Sequence, residues 1–259
     1  MDYFDWHTYV NKYPDLSFIT DKQTAYRHYN RYGIKEGRTP NKEITEKIII
    51  VYYIYINPKK NWKSIVSGQF EDLKRIDLLN YSTVHCVICT PCVNLFKECK
   101  QLIDCQFYYH AVENNFEYPG IKKLHELASN YPDNLFLYLH TKGMVFHEQT
   151  PGRIYSEMVI LRNTIKYWRQ VYNVFKTDNT IDKAGLFPDR DTGIIWFNFF
   201  WIRGSFLKNM KPPIITTWRY YYEVYIKNNT NCDNCFNILS FDKTTVTQHQ
   251  ACLGLQKLK

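Results

Sequence analysis

The sequence predicts an α/β protein with a mostly parallel β-sheet covered by helices on both faces, preceded by a small helical hairpin. Two patterns support this prediction. Short segments rich in β-branched and aromatic residues, typical of buried strands, recur along most of the chain. They alternate with segments in which apolar residues return every three or four positions, as on one face of a helix. Chains that alternate in this way usually form parallel strands joined by helical crossovers.

The elements are predicted in order from these patterns. Strands are expected at 48–57, 83–90, 106–112 and 134–139, and helices at 62–76 and 118–128. A longer helix is expected from about Arg153 to Phe175, because its apolar residues keep a spacing of three or four throughout. Two short helical segments, separated by Pro14-Asp15, precede the first strand. We therefore expect a helical accessory module at 1–41 and an α/β domain at 42–259.

Composition excludes several classes of protein. The 259 residues are 45% hydrophobic and 22% charged, which suffices for a core and excludes intrinsic disorder. The net charge of +8 favours phosphate-bearing ligands, but no long basic block or nucleic-acid-binding motif is present, so nucleic acid is not an expected partner. No run approaches the roughly 18 apolar residues of a membrane span, and the N-terminus does not resemble a signal peptide. We expect a cytoplasmic protein and leave its oligomeric state open.

The eight cysteines raise the question of a zinc site, because two C-x-x-C spacings occur, at Cys86-Cys89 and Cys232-Cys235. The first pair lies in a predicted strand, where residues three positions apart point to opposite faces. The two pairs are also far apart in the sequence. Buried, reduced thiols are therefore the expected state.

The N-terminal segment resembles a known module. It contains Phe4-Asp5-Trp6, Tyr13-Pro14-Asp15-Leu16, His28-Tyr29 and Glu36-Gly37-Arg38, in that order. This pattern is similar to that of a small helical module often found beside glycosyltransferase domains.

Three further segments resemble glycosyltransferases related to rhamnan-synthesis enzymes. Tyr138–Gly143 reads YLHTKG, a signature of that group, and Glu117–Gly120 also matches it. Asn198–Trp201, followed by Arg219 and Glu223, is similar to the group's GNFWW…R…E-W region. The resemblance covers about 46–226.

The chain departs from the group's pattern at two positions in the last of these regions. Phe197 stands where a small residue is usual, and Tyr225 replaces the usual Trp. The resemblance implies a GT-A fold and transfer of a sugar from a nucleotide-diphosphate-sugar to a glycan or protein acceptor. The donor nucleotide, UDP, GDP or dTDP, is left open. The alternative is a catalytically degenerate nucleotide- or glycan-binding protein, because the Asp-x-Asp usual after the fourth strand is missing.

Such families occur in large DNA viruses and in bacteria that make surface polysaccharide. Frequent Ile, Lys, Asn and Tyr residues indicate A- and T-rich codons, which favours the viral setting and hence the host cytoplasm.

Ligands of open α/β sheets bind at the carboxyl ends of the strands. This rule and the resemblance together predict a nucleotide-sugar site formed by residues that follow the strands: Asn57, Thr90, Asn114, Asn115, Glu117, His140, Thr141, Lys142 and Gly143. Lys142 is expected to meet the diphosphate directly and to act in catalysis, while Gly143 lets the backbone approach. The alternative is ordinary turn chemistry for the Asn residues and a solvated Lys142.

The acceptor side is expected at Arg219 and at one of Asn198 and Trp201, with Glu223 as the base that takes the acceptor's proton. The alternative for Trp201 is packing in the core. The alternative for Glu223 is an ion pair with Arg219 at i, i+4 on a helix. No cofactor is certain. Asp189 and Asp191, the single literal Asp-x-Asp, could bind Mn²⁺ or Mg²⁺, with a solvated turn as the alternative.

Overall fold

The computed structural model describes residues 6–33, 36, 38, 48–141, 151–227 and 232–258, with side chains from Tyr155 onward in the segment 151–227. The chain divides into two compact units, Met1–Thr45 and Glu46–Lys259. This division lies four residues beyond the predicted one.

The first unit is a pair of short helices around one tyrosine. The helices are α1 (Trp6–Lys12) and α2 (Lys22–His28). Tyr9 is fully buried between them, and its ring meets those of Tyr13 and Tyr29 edge-on at 5.5 Å each. The predicted helical hairpin is confirmed. Tyr32 lies in a single π-helical turn after α2 and is 45% exposed.

The second unit alternates strands and helices as predicted. Its strands are β1 (Ile48–Tyr55), β2 (Ser82–Cys89), β3 (Phe107–Ala111), β4 (Leu135–His140), β5 (Lys183–Gly185), β6 (Phe200–Arg203) and β7 (Cys235–Asn237). Its helices are α3 (Trp62–Arg75), α4 (Val93–Leu102), α5 (Tyr118–Asn130), α6 (Pro151–Ile165), α7 (Trp168–Thr177), α8 (Gly204–Lys208) and α9 (Gln248–Lys257).

The seven strands form one sheet in the order β3-β2-β1-β4-β6-β5-β7. Neighbours from β3 to β4 are parallel, as are β5 and β7, whereas β6 runs antiparallel to β4 and to β5. The predicted α/β class with a mostly parallel sheet is confirmed. In the register, Tyr53 of β1 lies opposite His140, the last residue of β4, and β1 continues for two more residues to Tyr55.

Helices cover both faces of the sheet. Ile49, Val51 and Tyr53 of β1 pack with α5 on one face. Tyr52 points to the other face, where its hydroxyl donates a 2.5 Å hydrogen bond to Gln69 of α3. Both faces of the central strands are therefore buried, which is why these strands read as continuous apolar runs.

The prediction of a single long helix near 153–175 is wrong, because the chain forms two helices, α6 and α7, with a break at Lys166 and Tyr167. The break places Trp168 in the core, 1% exposed, where its indole N–H donates to the carbonyl of Ile76 at 3.0 Å. No helix in the described part of the chain is long and apolar enough to cross a membrane.

A buried histidine on β2 predicts acid sensitivity. His85 is 5% exposed, stacks on Phe107 at 4.5 Å, and lies 2.9 Å through Nδ1 from the Tyr109 hydroxyl. Burial, with a smaller contribution from the charge of Lys123, lowers the pKa of His85 from 6.5 to about 4. The folded protein therefore binds fewer protons than the unfolded chain between these values. The stability due to neutral His85 is present above pH 6.5 and is lost as the pH falls towards 4.

We expect this group to remove about 2 kcal/mol from the free energy of unfolding between pH 6.5 and 4.5. Urea denaturation of the wild type and of His85→Phe at both pH values measures it. The variant keeps a ring that can stack on Phe107. Between pH 6.5 and 4.5 its free energy of unfolding should fall by about 2 kcal/mol less than that of the wild type. Equal losses in the two proteins would show that His85 does not cause the acid sensitivity.

Candidate functional site

The carboxyl ends of β1 and β4 are joined by Thr141. Its N–H donates to Tyr53 O at 2.9 Å, extending the parallel ladder beyond β4. Its hydroxyl accepts from Tyr55 N at 2.9 Å and donates to Tyr55 O at 3.2 Å. The chain therefore leaves β4 from a fixed point on the carboxyl edge of the sheet. Lys142 and Gly143, which follow directly, lie outside the described residues.

A polar cluster beside this edge centres on Glu117. One carboxylate oxygen, Oε2, accepts from the Tyr138 hydroxyl at 3.1 Å and from Nδ2 of Asn198. The other, Oε1, lies 3.5 Å from Nδ1 of His140. The structure thus brings together Glu117 and His140, expected at the donor, and Asn198, expected at the acceptor. Tyr138 was not predicted, although it lies two positions before His140 and therefore on the same face of β4.

Local sequence explains how Glu117 reaches this position. It immediately precedes α5, whose second residue is Pro119, a residue tolerated in the first turn of a helix. A Cβ on Gly120 would lie 2.6 Å from Cβ of Tyr53, so only glycine allows the first turn of α5 to lie directly against β1. Tyr53 also donates its hydroxyl to the carbonyl of Phe116 at 2.6 Å, which fixes the entry to the helix.

Asn198 enters the cluster from a strained turn. Phe197 and Asn198 both have left-handed backbones, with φ of 74° and 58°. This conformation is costly for Phe, and the usual small residue at that position in the resembling group would fit it more easily. Asn198 is 1% exposed, and its Oδ1 accepts no hydrogen bond from the described residues. Strained residues of this kind persist where the surrounding structure holds them, often at functional sites.

The two phenols at the cluster stay protonated. Burial, followed by the nearby charge of Glu117, raises the pKa of Tyr138 well above 10. Burial raises the pKa of Tyr53 in the same direction. His140 is 5% exposed and lies against Phe199, with 4.8 Å between ring centres. The cluster therefore combines neutral donors with one carboxylate in an apolar setting, which suits hydrogen bonding to the hydroxyls of a ribose or a sugar.

Two residues predicted to bind the nucleotide sugar take part in turns at the carboxyl edge of the sheet. Asn57, after β1, accepts a hydrogen bond from Lys59 N on its side-chain oxygen at 3.0 Å. Thr90, after β2, is fully buried, and its hydroxyl oxygen accepts from Cys92 N at 3.2 Å. The contact of Asn57 is the turn chemistry given as the alternative for the asparagines.

The loop after β3 carries the two remaining asparagines. Asn114 is exposed, and its Oδ1 lies 3.5 Å from the Tyr53 hydroxyl. Asn115 donates to the carboxylate of Glu113 at 3.4 Å. Asn114 is thus connected through Tyr53 to the strand on which α5 lies, close to the Glu117 cluster.

The expected acceptor residues separate into buried and exposed positions. Trp201 is fully buried on β6, and its indole N–H donates to Thr164 O in α6 at 2.9 Å. It packs in the core, which is the alternative given for Trp201. Arg219 is exposed, with its guanidinium carbon 5.6 Å from the ring centre of Tyr220.

Glu223 is half-buried and forms no hydrogen bond or ion pair with the described residues. The helix needed for the alternative pairing with Arg219 is absent from this described segment, where Arg219–Tyr221 is a single 3-10 turn.

A buried lysine that the sequence does not single out connects two segments near Glu223. Lys183 on β5 is fully buried, and its Nζ donates to Gly193 O at 2.6 Å and to Ile226 O at 2.8 Å. Burial lowers its pKa. Lys183 thereby joins the turn after Asp189 to the segment that contains Glu223. No pattern around Lys183 distinguishes it from a surface lysine in the sequence.

The literal Asp-x-Asp forms a turn. Asp189 is 6% exposed, and its Oδ2 accepts from Thr192 N at 2.9 Å and from the Thr192 hydroxyl at 2.7 Å. Asp191 is exposed. Within the described residues, no three His, Cys, Asp or Glu side chains are grouped so as to bind a metal, and all eight cysteines are free thiols. Asp189 is thus engaged in its own turn, and Asp191 is the carboxylate of the triplet that stays exposed.

No family model and no curated protein matches the chain. Among solved structures, it is similar to a crystal structure from Desulfovibrio desulfuricans G20 of a protein provisionally named a nucleotide-diphospho-sugar transferase. The TM-score is 0.41 and the identity 12%, over 70% of this chain and 72% of that chain. At this identity the likeness does not extend to substrate or reaction.

Proposed function

We propose that this protein is a glycosyltransferase that uses a nucleotide-diphosphate-sugar donor and a glycan or protein acceptor. The supporting observation is the convergence of Glu117, His140 and Asn198. They belong to the three sequence segments that resemble the transferase group and are separated by 23 and 58 positions, yet they meet at one point beside the carboxyl edge of the sheet. If the three resemblances were due to chance, there would be no reason for these three residues to lie together in the fold.

In this proposal, each part of the edge has a separate task. The Glu117 cluster hydrogen-bonds hydroxyl groups of the donor, because it presents a carboxylate, an amide and an imidazole together. Lys142 neutralises the diphosphate, and Glu223 takes the proton of the acceptor hydroxyl. No step is assigned to a metal ion.

The second candidate is a nucleotide- or glycan-binding protein without turnover. The observation that favours it is the lack of a metal-binding group among the described residues, together with the missing Asp-x-Asp after β4. Release of UDP, GDP or dTDP from the corresponding nucleotide sugars separates the two candidates. An enzyme releases the nucleotide, whereas a binding protein shows only a thermal shift.

The first test is a thermal-shift screen of the full chain against UDP, GDP and dTDP. A nucleotide at 100 times its dissociation constant should stabilise the protein by about 2.7 kcal/mol. Glu117→Gln keeps the shape but removes the negative charge and replaces one of the two carboxylate oxygens by an N–H donor, so we expect roughly tenfold weaker binding of the nucleotide. Glu126→Gln, whose carboxylate pairs with Lys123 at 2.6 Å on α5, is the control. No shift with any nucleotide would contradict the proposal.

Donor binding is expected to depend little on divalent cations. The reason is that Asp189 is engaged in its own turn and that Lys142, not an aspartate, follows β4. Calorimetric titration of the protein with the nucleotide sugar that it binds, once in the presence of Mn²⁺ and once in EDTA, measures this dependence on cations. Asp191→Asn tests the triplet without disturbing the turn. Binding that collapses in EDTA, recovers with Mn²⁺ and is lost in Asp191→Asn would instead place the site at the triplet.

A further inference from the structure

One loop of the second unit exposes an unusual amount of apolar surface. Ile214 and Ile215 are each 60% exposed, and Trp218 and Tyr220 are each 52% exposed. Single exposed apolar residues are common on soluble proteins, but four within seven consecutive positions form a patch. We refer to residues 211–220 as the apolar loop.

Buried side chains hold the apolar loop in this conformation. Tyr222, 1% exposed, donates its hydroxyl to Ile214 O at 3.0 Å. Tyr225, 7% exposed, donates to Lys211 O at 2.8 Å. The loop backbone is thus bonded to the core at both of these points. These two hydrogen bonds fix the backbone in a conformation in which the four apolar side chains are exposed.

The surroundings of the apolar loop are basic. Between positions 208 and 227 the chain has four basic residues, Lys208, Lys211, Arg219 and Lys227, and one acidic residue, Glu223. All four basic residues are exposed. The local net charge is therefore four minus one, or +3, on a chain of net charge +8. The partner of such a surface should be both apolar and negatively charged.

We propose that the apolar loop docks the protein onto the surface of an anionic lipid bilayer. Trp and Tyr favour the boundary between headgroups and acyl chains, and an exposed Ile pair gains free energy by entering the apolar layer. Lysines beside them are attracted by anionic headgroups. A sugar chain would gain little from two aliphatic side chains, and this argues against a glycan as the occupant. The docking is peripheral and does not depend on the proposed sugar transfer.

Co-sedimentation of the full chain with vesicles tests the proposal. Vesicles of phosphatidylcholine alone are compared with vesicles that also contain phosphatidylserine, and we expect binding mainly to the latter. The double variant Ile214→Ser/Ile215→Ser should bind at least about tenfold more weakly, because the aliphatic pair that enters the apolar layer is lost. Lys208→Ala/Lys211→Ala should weaken binding by on the order of tenfold, and high salt should release the wild type.

The control is Leu253→Ser, which removes a leucine 44% exposed on α9 and should bind vesicles like the wild type. Circular dichroism and the nucleotide thermal shift verify that each variant is folded, and they separate this proposal from the proposed function. Three results would overturn it: no binding to anionic vesicles, equal binding by the Ile214→Ser/Ile215→Ser protein, or a wild-type dimer that this variant makes monomeric while neither binds vesicles.

Discussion

Replacing Lys142 with alanine is expected to lower sugar transfer by about 10²–10³-fold in a protein that still folds. The departing nucleoside diphosphate gains negative charge in the transition state, and a fixed positive charge nearby stabilises it. Within the described residues no group of side chains is arranged to hold a metal that could do so. Lys142 directly follows Thr141, whose three hydrogen bonds to Tyr53 and Tyr55 fix the carboxyl edge from which the chain continues.

The measurement is release of nucleoside diphosphate from UDP-, GDP- and dTDP-sugars with a panel of saccharide acceptors. Lys142→Arg should recover part of the rate, since the charge remains while its geometry changes. Lys74→Ala, at a side chain 68% exposed on α3, is the control for the loss of one positive charge. A folded Lys142→Ala protein with near wild-type transfer would contradict the diphosphate assignment.

The fold class could be predicted from the sequence because burial determines the pattern of apolar residues. The strands β1, β2 and β4 are buried on both faces, so each appears as a short apolar run in the sequence. The break between α6 and α7 could not be predicted in this way. Apolar residues keep spacings of three and four across Lys166 and Tyr167, so the pattern gives no sign of a break. The break accompanies a tertiary contact, the hydrogen bond from the Trp168 indole to the carbonyl of Ile76.

The candidate site could be predicted only in part, for a related reason. Asn198 and Trp201 belong to one apolar segment, and the sequence does not tell which of them points to the edge of the sheet. The left-handed turn at Phe197 decides it, and Phe gives no sign of such a turn. The meeting of Glu117 with Asn198 depends likewise on β6 lying beside β4, an arrangement set by the whole sheet.

Replacing Glu223 with glutamine is expected to remove transfer, by about 10²–10⁴-fold, while nucleotide affinity stays unchanged. A general base must be held in position and yet keep its carboxylate available. Tyr225 fixes the segment to Lys211 O, and Lys183 fixes it to Ile226 O. The Glu223 side chain, only partly buried, makes no hydrogen bond or ion pair with the described residues.

The two readouts distinguish this role from a structural one. Nucleotide binding is measured by calorimetry and transfer by product formation at saturating donor. Glu71→Gln, at a side chain 67% exposed on α3, is the control and should leave both unchanged. If Glu223→Gln weakens nucleotide binding as much as transfer, Glu223 belongs to the donor side. If the variant transfers sugar at the wild-type rate, the base lies elsewhere, and Glu117 is the next carboxylate to test, because it is the centre of the polar cluster beside β4.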